Sequence, residues 1–296
     1  MNTELKPIDQ QVMVITGASS GIGLATALAA AAQGARVALL ARSEQTLDEV
    51  VADIQADGGQ ALAVALDIAD RGAVEAAADQ IVSRFGRIDT WVNNAGVAIY
   101  GRIEEIADDD NRRLFETNFW GVVYGSLAAL PYLRQSGGAL INVGSEVSEA
   151  VVPLQGMYST SKHAVKGFTD ALRVETELVA NAPVSISLIQ PTAVNTPYPE
   201  HARNYMDREP KLPSPQIDPH RVAEAIIEAA TEGGRDIKVG AMSKMNTLMA
   251  KLMPRLGDRM SAMQSRRQQK DEPPRKPEGT LFEGGESGRI YGTPPP

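Results

Sequence analysis

A tyrosine and a lysine four residues apart, Tyr158 and Lys162, form a pair suited to acid–base chemistry. On a helix the two side chains would share one face. A free tyrosine has a pKa of about 10, and a positive charge within roughly 4–6 Å lowers a pKa by about 1–3 units. The pair therefore predicts a phenol that can donate and accept a proton. The alternative is an ordinary residue pair on a surface helix.

The stretch "ITGASSGIG", residues 15–23, could bind an anion. It lies between an apolar run and an alanine-rich segment, as expected for a turn from a strand into a helix. Gly17, Gly21 and Gly23 permit a tight turn and a close approach of the backbone. The helix that follows would present free N–H groups and the positive end of its dipole. This layout predicts a dinucleotide phosphate site, and a merely flexible helix start is the alternative.

Alternating strands and helices must position these groups. The strand patterns are near-continuous apolar runs, which is typical of strands buried on both faces. Alternation with helices predicts a parallel sheet covered on both sides. We expect a doubly wound, Rossmann-like α/β domain over residues 1–240, with a mainly parallel seven-stranded sheet. The predicted strands are 12–16, 36–41, 61–66, 89–93, 138–144, 184–190 and 236–239. The predicted helices are 21–33, 43–57, 70–85, 108–134, 158–180 and 219–232.

Three motifs together resemble the short-chain dehydrogenase/reductase family. They are "TGASSGIG" at 16–23, "NNAG" at 93–96 and "YSTSK" at 158–162. Ser145 precedes Tyr158 by 13 residues, and Asn118 precedes Ser145 by 27, as in the family's Asn-Ser-Tyr-Lys tetrad. The resemblance covers about residues 10–240. It implies hydride transfer between a nicotinamide cofactor and a small alcohol, ketone or aldehyde.

The resemblance also implies a role for each tetrad residue. Tyr158 would be the acid/base, and Lys162 would tune it and bind the ribose. Ser145 ends the apolar strand "ALINV" and would orient the carbonyl, since a hydroxyl both donates and accepts hydrogen bonds. Asn118 would hold a water in a proton relay. From the residues alone, a buried structural asparagine is an equally good interpretation of Asn118.

The family's cofactor contacts match a further set of positions. Where the family has an acid that selects NAD, this chain has Ala41 followed by Arg42. Arginine pairs with a 2′-phosphate in a forked geometry, so NADP(H) is favoured over NAD(H). The alternative is an arginine that merely solvates a strand end. The full predicted set is Gly17, Ser19, Ser20, Gly21, Ile22, Gly23, Arg42, Asp67, Ile68, Asn94, Ala95, Gly96, Tyr158, Lys162, Pro191 and Thr196.

The sequence departs from the family after the sixth strand. It has Pro191-Thr192 where the family usually has Pro-Gly, so a side chain replaces bare backbone near the nicotinamide. Residues 193–218 would form the substrate lid, because long loops in compact domains often serve binding. The lid carries Tyr198, which favours an apolar or mixed substrate over a strongly charged one.

A C-terminal extension follows the family-like core. Residues 241–263 predict an amphipathic helical extension, in which Met242, Met245, Met249 and Met253 form a methionine stripe at helical spacing. Packing of this stripe on the body or on a partner subunit is favoured. Weak membrane-surface contact by residues 242–256 is the less favoured alternative. Residues 264–296 are rich in charge and proline, as in a linker or partly disordered segment, with Phe282 and Tyr291 as candidate apolar anchors. The sequence assigns this extension no role.

Composition excludes several classes of function. The net charge of −8 argues against nucleic-acid binding, and the absence of cysteine excludes disulfides and thiolate chemistry. The histidines show no metal-ligand spacing, so no metal site is predicted. The polar N-terminus and the absence of a long apolar run predict a cytoplasmic protein.

The resemblance implies a homodimer or homotetramer, built through the helices at 108–134 and 158–180. Two alternatives to the reductase interpretation stay open at this point. One is a cofactor-binding regulator or scaffold with little catalysis, although a binder needs no proton donor. The other, less favoured, is an epimerase or dehydratase on the same scaffold.

Overall fold

The computed structural model describes residues 3–285 and 288–292 of the 296-residue chain. Within these residues, the strands are β1 (Val12–Thr16), β2 (Arg36–Ala41), β3 (Gln60–Ala65), β4 (Thr90–Asn93), β5 (Ile99–Tyr100), β6 (Ala139–Val143), β7 (Ser185–Pro191), β8 (Arg203–Asn204) and β9 (Asp236–Val239). Seven parallel strands form one sheet in the order β3-β2-β1-β4-β6-β7-β9, and the short strands β5 and β8 pair separately.

Helices cover both faces of this sheet. They are α1 (Gly21–Ala32), α2 (Glu44–Ala56), α3 (Arg71–Phe85), α4 (Asp108–Phe115), α5 (Gly121–Ser136), α6 (Gly156–Arg173), α7 (Tyr198–His201), α8 (Pro219–Glu232), α9 (Ala241–Leu252) and α10 (Pro254–Gln264).

The side chains of strand β1 contribute to two hydrophobic cores, one on each face of the sheet. Its Met13 and Ile15 pack with α1 and α8, whereas Val12 and Val14 pack with α3 and α5. Since successive side chains of a strand alternate between faces, a fully apolar strand requires cover on both sides. The predicted doubly wound fold is confirmed.

Two predicted helices contain π-helical segments. The helix predicted over 108–134 is divided into α4 and α5 by π-helical residues Glu116–Trp120, and α6 continues as π-helical Val174–Val179. Asn118 lies at the centre of the first segment, where it is fully buried and bonded to the backbone of Val97. Isolated π turns often mark functional sites, and this one accommodates a side chain that must reach a neighbouring loop.

The C-terminal extension contains two helices over the range predicted as helical. Pro254, which has no N–H to donate, begins the second of them. Helix α9 buries Ser243 and Thr247 against the body, leaves Met245 and Met253 exposed, and partly buries Met242 and Met249. The face that packs most closely on this chain is therefore centred on the two hydroxyl residues and not on the methionine stripe.

Beyond α10, the chain runs back across the body. Leu281 is fully buried among Val97, Ile99 and Leu114, whereas Phe282 is 56% exposed. The prediction that Phe282 anchors this segment is wrong, and its neighbour Leu281 does so. Within the described ranges, none of the helices combines the length and the apolar character needed to cross a membrane.

Candidate active site

The glycine-rich turn joins β1 to α1, and its glycines leave almost no space for a side chain. Gly17 and Gly21 adopt left-handed φ angles of 67° and 55°. A Cβ on Gly23 would lie 2.6 Å from Asn94 Nδ2 and would overlap the carbonyl oxygen of Gly17. Only glycine allows the start of α1 to pack this closely on the turn. The result is a backbone cradle at a helix N-terminus, which is suited to a phosphate.

Residues of the "NNAG" stretch support that cradle from the next strand. The side chain of Asn94 donates to the carbonyl of Thr16 at 2.9 Å, and the backbone N–H groups of Asn94 and Ala95 donate to the Thr16 hydroxyl at 2.9 and 3.0 Å. A Cβ on Gly96 would lie 3.9 Å from Lys162 Nζ. The stretch therefore connects the glycine turn to the lysine of the tetrad.

A single cleft at the carboxyl ends of β1 and β4 brings most of the predicted residues together. This is where the strand order reverses, and open α/β sheets bind ligands at such points. Gly23 and Asn118 are not part of its lining. The predicted residues that line it are Gly17, Ser19, Ser20, Gly21, Ile22, Arg42, Asp67, Ile68, Asn94, Ala95, Gly96, Ser145, Tyr158, Lys162, Pro191 and Thr196.

Helix α6 presents Tyr158 and Lys162 to the cleft, but their electrostatics differ from the expectation. Lys162 is 4% exposed, donates to the Val143 carbonyl at 2.9 Å and lies 5.7 Å from the centre of the tyrosine ring. Burial lowers the pKa of Lys162 to about 8 and raises the pKa of Tyr158 to about 12. Hydrogen bonds with Tyr198 and Ser145 oppose the rise only in part. The predicted lowering of the phenol pKa is therefore wrong here, because desolvation outweighs the distant ammonium.

Ser145 follows β6 and lies beside Tyr158, with its hydroxyl accepting from the N–H of Val147 at 3.3 Å. The next residue, Glu146, is a site residue that sequence reasoning missed. Burial raises the pKa of its carboxyl group, and Asn246 of α9 donates to it at 2.9 Å. The side chain of Thr192, which replaces the family's glycine, favours the ionised form of the same carboxyl group and so opposes this rise in pKa. Its position next to Ser145 in the sequence was the one indication that Glu146 could belong to the site.

Asn118 lies behind the cleft. Its side chain donates to the Val97 carbonyl at 2.9 Å, accepts from the Val97 N–H at 2.8 Å and donates to the Ser161 hydroxyl at 3.2 Å. These bonds hold the loop after β4 against α6. The relay-water role implied by the resemblance stays a prediction.

At the far end of the cleft, the C-terminal segment meets two arginines. Arg42 donates to the carbonyls of Thr280 and Leu281 at 2.6 and 3.4 Å, and Arg113 donates to that of Leu281 at 3.1 Å. Arg113 also pairs with Asp67. Sequence reasoning missed Arg113 and Thr280, because no local pattern shows that residues so far apart meet.

Two further residues that are predicted to contact the cofactor, Ile68 and Thr196, each pack closely against a glycine. Ile68 is buried, and a Cβ on Gly121 would lie 2.8 Å from it. Thr196 lies close to Gly21, since a Cβ added to Gly21 would lie 3.2 Å from the Thr196 side chain. The carbonyl of Arg289 accepts from the N–H of Gly21 at 2.9 Å, so the C-terminal segment also reaches the glycine turn.

The chain is similar to known oxidoreductases over most of its length. The short chain dehydrogenase family model matches residues 11–206. An uncharacterized oxidoreductase, YxnA, of Bacillus subtilis (strain 168) is 42% identical over 287 residues, which cover 95% of this chain and 80% of the relative.

Two solved structures share the fold. An alcohol dehydrogenase from Thermococcus sibiricus, complexed with 5-hydroxy-NADP, is 29% identical with a TM-score of 0.66, covering 77% of this chain and 94% of that one. A short chain dehydrogenase/reductase from Burkholderia phymatum, in complex with NAD, is 27% identical with a TM-score of 0.74, covering 84% and 96%. The cleft, the tetrad spacing and these similarities lead to one conclusion: the chain is an oxidoreductase that belongs to the short-chain dehydrogenase family.

Proposed function

We propose that this protein interconverts an alcohol and a ketone or aldehyde with NADP(H) as the cofactor. The observation that carries the proposal is the arrangement of the cleft. Ser145 follows β6, Arg42 follows β2, and the glycine cradle follows β1, so the strand order places the cradle between the two residues in the same cleft. Solved relatives hold either an NADP derivative or NAD, so the choice of cofactor depends on this chain's own residues.

The residues present fit a dinucleotide. The cradle leaves no room for a Cβ at Gly17 or Gly23, and Ser19 and Ser20 line the same space. When bound, the nicotinamide supplies or removes the hydride. The chain then has to orient the carbonyl oxygen and exchange one proton with it. In the proposed mechanism Ser145 donates a hydrogen bond to that oxygen, Tyr158 transfers the proton, and Lys162 contributes positive charge beside them.

Apolar side chains in the wall of the cleft favour an apolar substrate. Val147, Val152, Leu212 and Pro213 line the same cleft as Tyr158. The carboxyl group of Glu146 accepts a hydrogen bond from Asn246, and burial raises its pKa, which disfavours the charged form that a cationic substrate would need. We therefore infer that bulky apolar ketones and aldehydes are the best first candidates.

The test is NADPH oxidation against a panel of ketones, aldehydes and quinones that differ in size and polarity. The proposal is supported if the apolar carbonyl compounds are reduced, and are reduced faster than the charged ones. Tight NADPH binding without any turnover would favour the regulator or scaffold, and cofactor regenerated within each cycle would favour an epimerase.

Arg42→Ala should weaken the binding of NADPH and leave that of NADH nearly unchanged. A guanidinium has five donors, so Arg42 can bond the Thr280 carbonyl and still pair with a 2′-phosphate. Losing one charged hydrogen-bonding partner costs about 1.5–3 kcal/mol, or roughly 10–150-fold in affinity. Fluorescence titration with both cofactors measures this, with Arg134→Ala on the exposed side of α5 as the control. Equal affinity of the parent protein for NADPH and NADH would refute the assignment.

We also propose that the chain forms a homodimer or homotetramer through α5 and the π-helical segment Val174–Val179 that follows α6. Exposed apolar side chains lie there, among them Leu127, Leu178 and Val179. Static light scattering on the purified protein should give a mass of two or four chains. Leu178→Glu should shift that mass toward one chain, and a monomeric parent protein would contradict the proposal.

A further inference from the structure

Helix α9 reverses the usual distribution of polar and apolar residues. Ser243 and Thr247 are fully buried, whereas Met245, Leu248 and Leu252 are exposed, Leu252 by 71%. A helix turns by about 100° per residue, so these three apolar side chains lie nearly opposite the two buried hydroxyl residues. An apolar face directed away from the body gains nothing from the folding of this chain, which indicates that it contacts something else.

Helix α10 continues this apolar surface. Its Leu256 and Met263 are exposed, and the half-buried Met260 lies between them at the same helical spacing. The two helices pack closely, since a Cβ on Gly257 would lie 3.7 Å from the Cα of Ala250. Single exposed apolar residues are ordinary, but a set of them on two packed helices is typical of an interaction site. The α9–α10 face is defined here by its exposed large apolar residues, which are Met245, Leu248, Leu252, Met253, Leu256 and Met263.

Positive charge accompanies the α9–α10 face. Residues 241–268 contain six basic residues and one acidic residue, although the whole chain has a net charge of −8. Arg255, Arg259 and Arg266 recur at helical spacing, and all three are exposed. Lys251 pairs with Glu149, whereas none of these three arginines has an ion pair among the described residues. Their charge is therefore available to an external anion.

We propose that the α9–α10 face docks on an anionic lipid surface, with its apolar side chains in the headgroup boundary and its arginines beside lipid phosphates. A helix with an apolar face and basic flanks binds at such a boundary without crossing the membrane. Anionic headgroups attract clustered lysines and arginines. The acidic remainder of the chain is repelled by the same headgroups, so this face is the one directed toward them.

The charge also argues against a second copy of this chain as the occupant. A twofold dimer through this face would bring two identical sets of arginines together, because both subunits contribute the same patch. Like charges without partners oppose such a contact. The oligomer proposed above uses α5 and Val174–Val179 instead, so the two contacts require different residues.

The α9–α10 face belongs to helices that pack beside the wall of the cleft. Ser261 of α10 donates to the carbonyl of Val151, and Asn246 of α9 donates to the carboxyl group of Glu146. Glu146 and Val152, the neighbour of Val151, both line the cleft. Docking would therefore bring this wall close to the lipid. If the proposed function is correct, apolar carbonyl compounds dissolved in the membrane would then have a short path to the cleft.

The experiment is flotation of the full-length protein with lipid vesicles. One set of vesicles contains phosphatidylcholine alone, and the other contains phosphatidylcholine mixed with phosphatidylglycerol. We expect binding to the mixed vesicles and about tenfold or more weaker binding to the neutral ones, because several arginines contribute. Added salt should weaken binding to the mixed vesicles, since it screens exposed charges.

Two double variants separate the apolar and the electrostatic contributions. Leu248→Gln/Leu252→Gln should weaken binding to the mixed vesicles by about 10–100-fold, because two leucines no longer enter the headgroup boundary. Arg255→Gln/Arg259→Gln should weaken that binding by about fivefold for each arginine, with little change on neutral vesicles. All four residues are exposed, so the midpoint of thermal unfolding should stay near that of the parent protein.

Matched controls change similar residues elsewhere on the surface. Ile103 is 61% exposed, but its neighbours Glu104 and Glu105 are acidic, so Ile103→Gln should not affect vesicle binding. Arg134→Gln/Arg221→Gln removes two exposed arginines of α5 and α8 and should also leave binding unchanged.

The proposal is overturned if the parent protein does not float with the mixed vesicles, if it binds neutral vesicles equally well, or if the leucine variant binds like the parent. Static light scattering tests the second-copy alternative. Absence of lipid binding, together with a lower mass for the leucine variant, would identify the face as a contact between subunits. Flotation requires neither substrate nor cofactor, so its result is independent of the carbonyl panel that tests the proposed function.

Discussion

Tyr158→Phe should lower kcat for carbonyl reduction by about 10²–10⁴-fold, the usual contribution of a positioned general acid. The substitution removes one hydroxyl and keeps the ring, which packs against Tyr198 and near Leu281. The fold and the cradle at Gly17 should therefore be preserved, and NADPH should bind nearly as well as before. Stopped-flow NADPH oxidation and fluorescence titration measure the two quantities separately.

Tyr132→Phe is the matched control for this variant. Its hydroxyl bonds Asp79 on the outer surface between α3 and α5, so the same chemical change should leave kcat unchanged. A Tyr158→Phe enzyme that keeps within tenfold of the parent's kcat, with the control unaffected, would contradict the assignment of the general acid. The proton would then have to come from another group in the cleft.

Gly23→Ala should weaken NADPH binding by about 5–150-fold, corresponding to roughly 1–3 kcal/mol of overpacking. The added methyl group would overlap the carbonyl oxygen of Gly17 and approach Asn94 Nδ2 to 2.6 Å. The Gly17 oxygen belongs to the backbone, and the Asn94 amide is held by its hydrogen bond to the Thr16 carbonyl, so α1 must shift from the turn. The shift distorts the cradle that would bind the phosphates. Isothermal titration with NADPH measures the loss, and the midpoint of thermal unfolding should fall as well.

Gly167→Ala is the matched control, because the same added methyl group should not weaken NADPH binding at this position. Gly167 lies in the exposed part of α6, and a Cβ there would meet nothing within 4 Å. Alanine is a better helix former than glycine by about 1 kcal/mol, so this variant should be slightly more stable and should bind NADPH normally. If the two variants bind NADPH equally well, the close contact at Gly23 is not what shapes the cradle.

The tail is where sequence and structure differ most. Helix α9 buries its own Ser243 and Thr247, while Met245 and Met253 of the stripe that the periodicity singled out are exposed. Each polar side chain has a partner that only the fold supplies: the Ser243 hydroxyl donates to the Gln190 carbonyl at 2.8 Å, and Lys238 donates to the Thr247 hydroxyl at 2.6 Å. A hydrophobic pattern shows which helix face would gain from burial, but not what already occupies the neighbouring surface.

The sequence by itself determined the fold class and the positions of the family's motifs. Apolar runs such as β1 and β6 have to be covered on both faces, and glycines such as Gly17 and Gly23 have no substitute where backbones touch. Such features are local, so they can be predicted from neighbours in the chain. The pKa of Tyr158 could not be predicted in this way, because it depends on how completely surrounding elements exclude water.

Only the tertiary structure decided what the C-terminal segment touches. Gln268 reaches Gln155 across 113 positions of sequence, and Arg42 reaches Thr280 across 238. These contacts carry no periodicity and no motif. They arise because the chain returns over a cleft that the sheet has already formed, and the buried amides and guanidinium there have to find partners.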